Sequence, residues 1–257
     1  MIDCGPSATW KLSKAGLNPK DVNTLYLTHH HFDHNVDTPC FLLTRWDQNA
    51  LSGKPVEVRG PQPTERFCEG IIGMAGVFQP DWNARINWGP SLDVYQARGG
   101  QLPRQPPQVS AKNITPGWSH STSEYKITAG YADHAQPYLD CLCYRIDFPN
   151  AKSAVFSGDT GVCDEVVELA KGADMFFCMS SGADMNDRVA LGQCTPGAAE
   201  PKDAGLMAER AGVKTLILVH QGPGQAKKEN WYKSIDGAKE AFSGEVIFGE
   251  EITSFEL

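Results

Sequence analysis

Thr28-His29-His30-His31-Phe32-Asp33-His34 decides how the rest of this chain is read. His29, His31, Asp33 and His34 follow the spacing His-x-His-x-Asp-His. Four of the seven histidines in the chain fall between His29 and His34, so a chance His-rich loop explains the stretch poorly. A solvated polar loop has no reason to alternate its histidines and then add an Asp and a His in the next turn. Nitrogen and oxygen donors packed this densely suit zinc and similar borderline metals. Their place matters too, because an apolar strand from Thr24 to Leu27 runs straight into them.

Working outward, Ile2-Asp3-Cys4-Gly5 reads as a strand end followed by a turn. Ser7 is the expected cap of a helix over Ala8–Ala15, closed by Gly16. Thr38-Pro39 predicts the start of a second helix, with Phe41, Leu42, Leu43 and Trp46 on its apolar face. Pro55–Arg59 alternates as a strand, and Thr64–Ala75 is a helix candidate. From Phe78 to Trp118 the pattern weakens into a turn-rich connection, so residues 78–118 are expected to be an irregular insertion. Strands are predicted at Tyr125–Tyr131, Leu139–Phe148, Ser153–Phe156, Asp174–Met179, Thr215–Val219, Val246–Phe248 and Ile252–Phe255. Helices are predicted at Asp164–Lys171, Pro201–Ala211 and Lys228–Ala241, and a Gly- and Asp-containing loop at Ser180–Gly197. Strands alternating with helices indicate an α/β layered domain, here one domain over residues 1–257.

Composition narrows the function classes. At 257 residues and 41% hydrophobic content the chain can bury a sizeable core. A formal net charge of −8 argues against a dedicated nucleic-acid binder, because phosphates want a basic surface. The eight cysteines include no Cys-x-x-Cys pair, and most sit in apolar runs. They read as reduced, buried small hydrophobes of an intracellular, cytoplasmic protein. No apolar run approaches a membrane span, so no membrane partner is expected.

Three further residues share the context of the opening stretch, a polar donor just beyond an apolar strand. They are His134 in Gly130-Tyr-Ala-Asp-His, Asp159 in Phe156-Ser-Gly-Asp-Thr, and His220 in Ile217-Leu-Val-His. Donors at strand ends are held rigidly, as a catalytic metal needs. His120 rivals His134 but lies in a Ser-rich polar stretch, whereas His134 follows its strand directly.

These segments together resemble the metallo-β-lactamase superfamily. The Asp-Cys-Gly turn, Thr-His-x-His-x-Asp-His, a lone His, Ser-Gly-Asp-Thr and a final strand-end His occur in that order over nearly the whole length. Ser157–Thr160 and the Ala204-Gly205 helix look most similar to the ribonuclease Z and arylsulfatase-like branch, which includes hydrolytic dehalogenases of chlorinated aromatics such as chlorothalonil. The resemblance implies an αββα sandwich with two metal ions at one edge of the sheets. It implies that His29, His31 and His134 hold one metal, Asp33, His34 and His220 the other, and that Asp159 bridges both. It makes His30 a non-ligand and Asp3 the carboxylate orienting a ligand histidine. The implied cofactors are two zinc ions (Zn2+), with Mn2+ or Fe2+ as alternatives. Their shared water, lowered in pKa, would be the nucleophile. Asp33 would accept or relay the proton, and no Gly-x-Ser-x-Gly competes as an alternative nucleophile motif.

Two departures from the family shape the expectation. The strands that usually precede the Asp-Cys-Gly turn are absent, so the fold is expected to lack its first N-terminal strands, with a segment lost ahead of it. The exposed edge that results predicts a cover, and a homodimer is one expected form. Second, Ala198 stands where ribonuclease Z enzymes carry a catalytic His. With the acidic balance, this turns the expectation from tRNA 3′-processing, kept as the alternative, toward a small-molecule substrate. Sulfate esters, phosphodiesters, lactones or lactams and chloroaromatics are the candidate bonds. Trp118 and Trp231 are expected to line a pocket for a flat aromatic substrate, with Trp82 and Trp88 as further stacking surfaces. Substrate choice is expected to lie in Phe78–Trp118 and Ser180–Gly197. A non-catalytic or redox protein on the same fold is the rival, but a dead scaffold is expected to lose ligands whereas this chain keeps all seven, and the iron-using redox relatives carry an added flavin domain for which this chain has no room.

Overall fold

Leu25 and Leu27 are fully buried, one within and one just after β1 (Thr24–Tyr26), which delivers the chain to His29. β1 pairs in parallel with β2 (Val56–Gly60), and β2 in parallel with β3 (Val109–Asn113). In β2 the alternation is direct, with Val56 and Val58 buried and Glu57 and Arg59 partly exposed. On the outer side of β1, Ile2 forms a parallel bridge to Tyr26, and the Asp3 N–H donates to the Tyr26 carbonyl at 2.7 Å. The computed structural model describes residues 1–51, 54–181, 197–222 and 224–257. They divide into two compact units, Met1–Ile114 and Thr115–Leu257.

Among the described residues the first unit adds the α-helices α1 (Ala8–Lys14), α2 (Phe32–Asn35), α3 (Thr38–Gln48), α4 (Thr64–Ile72), α5 (Gln79–Asn87) and α6 (Gly89–Ala97) and a short 3-10 turn at Pro19–Asp21. Phe41 and Leu42 of α3 and Ile71 of α4 join Leu25, Leu27 and Val58 in one apolar cluster. Ser7 does not cap α1. Its φ is 62° and its side chain makes no cap hydrogen bond. The orphan Thr9 N–H donates instead to Asp37 Oδ2 at 2.6 Å, so the cap comes from the far side of the His stretch. The stretch expected to be irregular holds α5 and α6. Trp82 is the buried residue of α5 and α6 has none, so neither carries the apolar stripe that would mark a helix in sequence.

The second unit is a seven-stranded sheet in the order β10-β9-β8-β7-β6-β5-β4. Its strands are β4 (Ser119–Ser121), β5 (Lys126–Tyr131), β6 (Leu142–Asp147), β7 (Ser153–Phe156), β8 (Met175–Met179), β9 (Thr215–Val219) and β10 (Glu245–Phe248). β4 to β7 pair antiparallel and β7 to β10 parallel. It follows that β5, β7, β8 and β9 all run the same way and end at the same edge. Helices α7 (Asp164–Ala170), α8 (Pro201–Ala211) and α9 (Trp231–Lys239) accompany the sheet. Val166 of α7, Met207 and Ala208 of α8 and Ala238 of α9 pack with Val155, Phe176, Leu216 and Leu218 of the sheet. Glu200 and Asp203 form a reciprocal capping box at the start of α8.

Ile252–Phe255 reads as a strand in sequence but forms none. Phe255 instead sets its ring edge-on to Phe177 at 5.5 Å, and this packing accounts for part of the apolar pattern. Most of Ser180–Gly197, with Cys194, lies outside the described residues. The other seven cysteines are free thiols, six of them buried. Among the described residues no helix is long and apolar enough to cross a membrane.

Candidate metal centre

In the first unit the donors come from the loop after β1 and from the short helix α2. His29 Nε2 and His31 Nδ1 converge to 3.0 Å. Asp33 Oδ2 lies 3.6 Å from His34 Nε2. Asp3 Oδ2 lies 2.8 Å from His34 Nδ1, on the far side of that ring from Asp33. Asp3 can hold this position because it adopts φ 55°, a left-handed conformation that Asp tolerates better than most residues. The turn behind it is tied to α2 and the residues after it, since the Cys4 N–H donates to the His34 carbonyl at 2.7 Å and the Asp37 N–H to the Cys4 carbonyl at 3.0 Å. Gly5 is required by the same approach: a Cβ there would sit 2.1 Å from the Asp33 carbonyl oxygen.

His30 turns away from these donors. Its Nε2 lies 2.9 Å from Thr64 Oγ1, and its Nδ1 3.3 Å from Asn35 Nδ2. Thr64 gives its own proton to the Pro61 carbonyl at 2.7 Å, so it accepts from His30 Nε2–H, and Nδ1 accepts from Asn35. Both ring nitrogens are thus used with the imidazole neutral. Burial, the larger cause, also holds the His30 pKa below the usual histidine range.

In the second unit His134, Asp159 and His220 follow β5, β7 and β9, three strands that run in the same direction. Topology therefore brings together residues far apart in sequence. Asp159 is 5% exposed. One of its oxygens lies 3.7 Å from His134 Nε2 and the other 3.4 Å from His220 Nε2. His134 Nδ1–H donates to the Gly197 carbonyl, which directs Nε2 toward Asp159. Gly197 must lack a side chain, because a Cβ would lie 2.2 Å from the His134 carbonyl oxygen. His220 sits at φ 58°, so a non-glycine residue in the left-handed region ends β9. The His134 loop is laced to the Asp159 turn, with Asp133 N–H donating to Thr160 Oγ1 and Gly161 N–H to the Asp133 carbonyl.

The tryptophans expected to stack a substrate are placed differently from one another. Trp231 stacks on Phe248 at 4.5 Å, donates its indole N–H to the Ala226 carbonyl and lies 5.2 Å from the Lys228 ammonium. Its ring is engaged within the second unit. Trp118 is half-buried and stacks on His120 at 6.1 Å, and His120 itself is exposed on β4. Trp82 is buried in the first unit, whereas Trp88 is exposed. Sequence reasoning passed over Phe32, which is 73% exposed between His31 and Asp33. Val36, also exposed, follows one helical turn later, an i, i+4 apolar pair that was there to be noticed.

Both halves carry the donor chemistry of a divalent transition-metal site, imidazole nitrogens with carboxylate oxygens whose partners fix their orientation. Comparison with known proteins agrees. Residues 87–221 match the Beta-lactamase superfamily domain, and residues 1–46 the Metallo-beta-lactamase superfamily. Ribonuclease Z of Mycobacterium sp. (strain KMS) is 27% identical over 266 residues, spanning all of this chain and 85% of the relative. Ribonuclease Z of Mycobacterium marinum is 26% identical over 264 residues, again spanning the whole chain and 88% of the relative. Among solved structures, the metallo-beta-lactamase fold protein YhfI from Bacillus subtilis aligns with a TM-score of 0.66 at 18% identity, over 97% of this chain and 83% of its own. Human tRNase Z, short form, aligns with a TM-score of 0.64 at 17% identity, over 98% of this chain and 85% of its own. At such identities the structural likeness speaks for the fold. The chain belongs to the metallo-β-lactamase superfamily, has its fold, and is one of its metal-dependent hydrolases.

Proposed function

We propose that the chain is a binuclear zinc hydrolase of a small, apolar or aryl-bearing substrate, working in the cytoplasm. His29, His31 and His134 would hold one cation, Asp33, His34 and His220 the other, and Asp159 both. Bound there, zinc would supply Lewis acidity and bring the pKa of a water toward neutrality. The chain's own residues do the rest. Asp33, half-buried in the first turn of α2, would accept the proton of the attacking water. Asp3 and Gly197 keep His34 and His134 pointing their Nε2 atoms forward. Phe32 offers an apolar face beside the donors, where an aryl or alkyl group of the substrate would rest.

The observation that carries this reading is Asp159, a buried carboxylate with one oxygen toward each of two histidines. A buried carboxylate between imidazoles is costly without a cation to share, and a bridging role explains it. For substrate size the support is electrostatic. Thr115–Leu257 carries 12 Lys and Arg against 21 Asp and Glu, a poor surface for a polyphosphate. Ala198, in the place of the ribonuclease Z histidine, packs against the apolar cluster and offers no proton-transfer group.

A second reading, tRNA 3′-processing, is favoured by the curated relatives, which are ribonuclease Z proteins over the whole chain. One pair of measurements separates the two. Metal analysis of purified protein is expected to give about two zinc per chain, and a folded protein that takes up no metal would end the enzyme reading. Turnover is then compared across aryl sulfate, phosphodiester, lactone, β-lactam and chloroaromatic substrates and a precursor tRNA. Efficient cleavage of the tRNA alone would replace the small-molecule reading with the second one.

A further inference from the structure

Thr28 opens the decisive stretch, yet the metal reading gives it no task. It is 1% exposed, and its hydroxyl meets three polar groups. Oγ1 lies 2.8 Å from Asp3 Oδ2, 3.0 Å from His29 Nδ1 and 3.5 Å from His34 Nδ1. Asp3 Oδ1 also accepts the Thr28 backbone N–H at 2.7 Å, which fixes the carboxylate against the residue. A hydroxyl has one proton, and an ionised carboxylate can only accept. The Thr28 proton therefore goes to Asp3. Toward His29 the same oxygen can then act only as an acceptor, so His29 carries its proton on Nδ1 and presents a bare lone pair at Nε2. His34 is set the same way by donating Nδ1–H directly to Asp3 Oδ2 at 2.8 Å.

We propose that Thr28 is a positioning residue that relays Asp3 to His29, so that one carboxylate fixes the tautomer and orientation of two imidazoles at once. The proposal rests on the metal reading for its purpose but not for its geometry. His29 Nε2 faces His31 Nδ1 at 3.0 Å. With the relay intact, His29 brings an electron pair to that point, which is what a cation needs. Without the hydroxyl, His29 loses the Thr28 acceptor for Nδ1–H, which favours the other tautomer with its proton on Nε2, where it blocks a cation. The relay also explains why the residue ahead of the first ligand carries a hydroxyl while being buried among apolar neighbours such as Leu27.

The test compares Thr28→Val, which keeps the branched shape, with Thr28→Ser, which keeps the hydroxyl, in the full chain. Zinc affinity is measured by competition with a chromophoric chelator. The His29 tautomer is read from ring nitrogen–proton NMR correlations on metal-free protein, and folding from thermal unfolding by circular dichroism. Wild type and Thr28→Ser are expected to show His29 protonated on Nδ1 and similar zinc affinity. Thr28→Val is expected to shift the proton toward Nε2 and to weaken zinc about 10- to 100-fold, the usual scale for losing a group that orients a ligand. A folded Thr28→Val protein with wild-type affinity and an Nδ1 proton on His29 overturns the relay. So does Thr28→Ser falling as far as Thr28→Val, since shape would then be what matters. If Thr28→Val does not fold, the wild-type ring spectrum still decides, because an Nε2 proton on His29 contradicts the relay. A wild-type protein that shows the Nδ1 proton yet binds no zinc would sink the metal reading and leave the relay standing.

Discussion

The two halves of the proposed centre are built by opposite means. In Met1–Ile114 the donors His29, His31, Asp33 and His34 are sequence neighbours, and the rings of His29 and His34 are held by Thr28 and Asp3, with the Cys4 turn tied to the His34 backbone. In Thr115–Leu257 the donors His134, Asp159 and His220 are far apart in sequence and meet because β5, β7 and β9 end at one edge of a sheet. The contiguous half depends on local backbone geometry, including a left-handed Asp3. The dispersed half depends on strand register, which the core of the second unit enforces. Damage to the first should stay local, whereas damage to the second should spread only if it reaches the sheet.

The largest effect is expected from Asp159→Ala. Asp159 sets one oxygen toward each of His134 and His220, so on the proposed reading its loss should lower zinc stoichiometry from about two to one or fewer per chain, read by metal analysis. Turnover should fall about a thousandfold or more, the scale of removing a group on which electrostatic stabilisation rests. Circular dichroism should remain native, because the carboxylate lies beyond the end of β7 rather than in its ladder. Retained turnover would mean that Asp159 is not the shared ligand.

Two glycine variants then compare the halves directly. Gly197→Ala places a methyl against the His134 carbonyl, and Gly5→Ala places one against the Asp33 carbonyl. Backbone atoms cannot swing aside as a long side chain can, so both should cost about 1–3 kcal/mol in stability. Gly197→Ala should displace the His134 loop and reduce turnover about 10- to 100-fold through one ligand. Gly5→Ala should do at least as much, because it disturbs Asp33 and His34 together. If Gly197→Ala proves the more damaging to zinc stoichiometry, the contiguous half is less dependent on its turn than the geometry says.

This contrast also explains what was legible in the sequence. The contiguous half announced itself, since a dense run of donors after Leu25-Tyr26-Leu27 needs no knowledge of the fold. His134, Asp159 and His220 were readable as strand-end residues, but only the strand directions place them together. Other features were not legible because their causes are distant. The cap of α1 comes from Asp37, not from Ser7 beside it. Helices α5 and α6 bury almost nothing beyond Trp82, so their periodicity is silent. Trp231 looked available for a ligand, yet Phe248 and Lys228 occupy its faces. Phe32 was overlooked because an aromatic inside a ligand motif reads as a spacer until its exposure is known.

His30 sharpens the comparison from inside the contiguous half. It is one of four histidines there, but its two nitrogens are spent on Thr64 and Asn35. His30→Ala should therefore leave about two zinc per chain and an unchanged zinc affinity. Its cost should appear in stability, about 1–3 kcal/mol from the hydrogen bonds and packing against Phe67 that it loses, measured by denaturant unfolding. Loss of one zinc equivalent from a folded His30→Ala protein would show that the motif's spacing, and the orientation seen here, had been misread.

The smallest expected effect tests the sheet itself. Asp174, just before β8, accepts from Lys214 Nζ at 2.7 Å and from the Ser153 N–H at 2.9 Å, so it pins the entries of β7 and β9 at the end away from the donors. Its pKa is held down to about 2, chiefly by Lys214. A carboxylate depressed in the folded state stabilises fully above its unfolded pKa, near 4, and that stabilisation is lost as pH falls toward 2. The Lys214 side chain is 70% exposed, so solvent screening trims the gain. Asp174→Asn should thus cost about 1 kcal/mol at pH 7 and progressively less below pH 4, measured as the gap between wild-type and variant unfolding midpoints. Zinc affinity should not change at any pH where both proteins are folded, because the core residues Val155, Phe176 and Leu216 still set the register of β7, β8 and β9. Weakened zinc binding in folded Asp174→Asn protein would mean that the dispersed half relies on strand entries as well as on the core, and that its geometry is softer than that of the contiguous half.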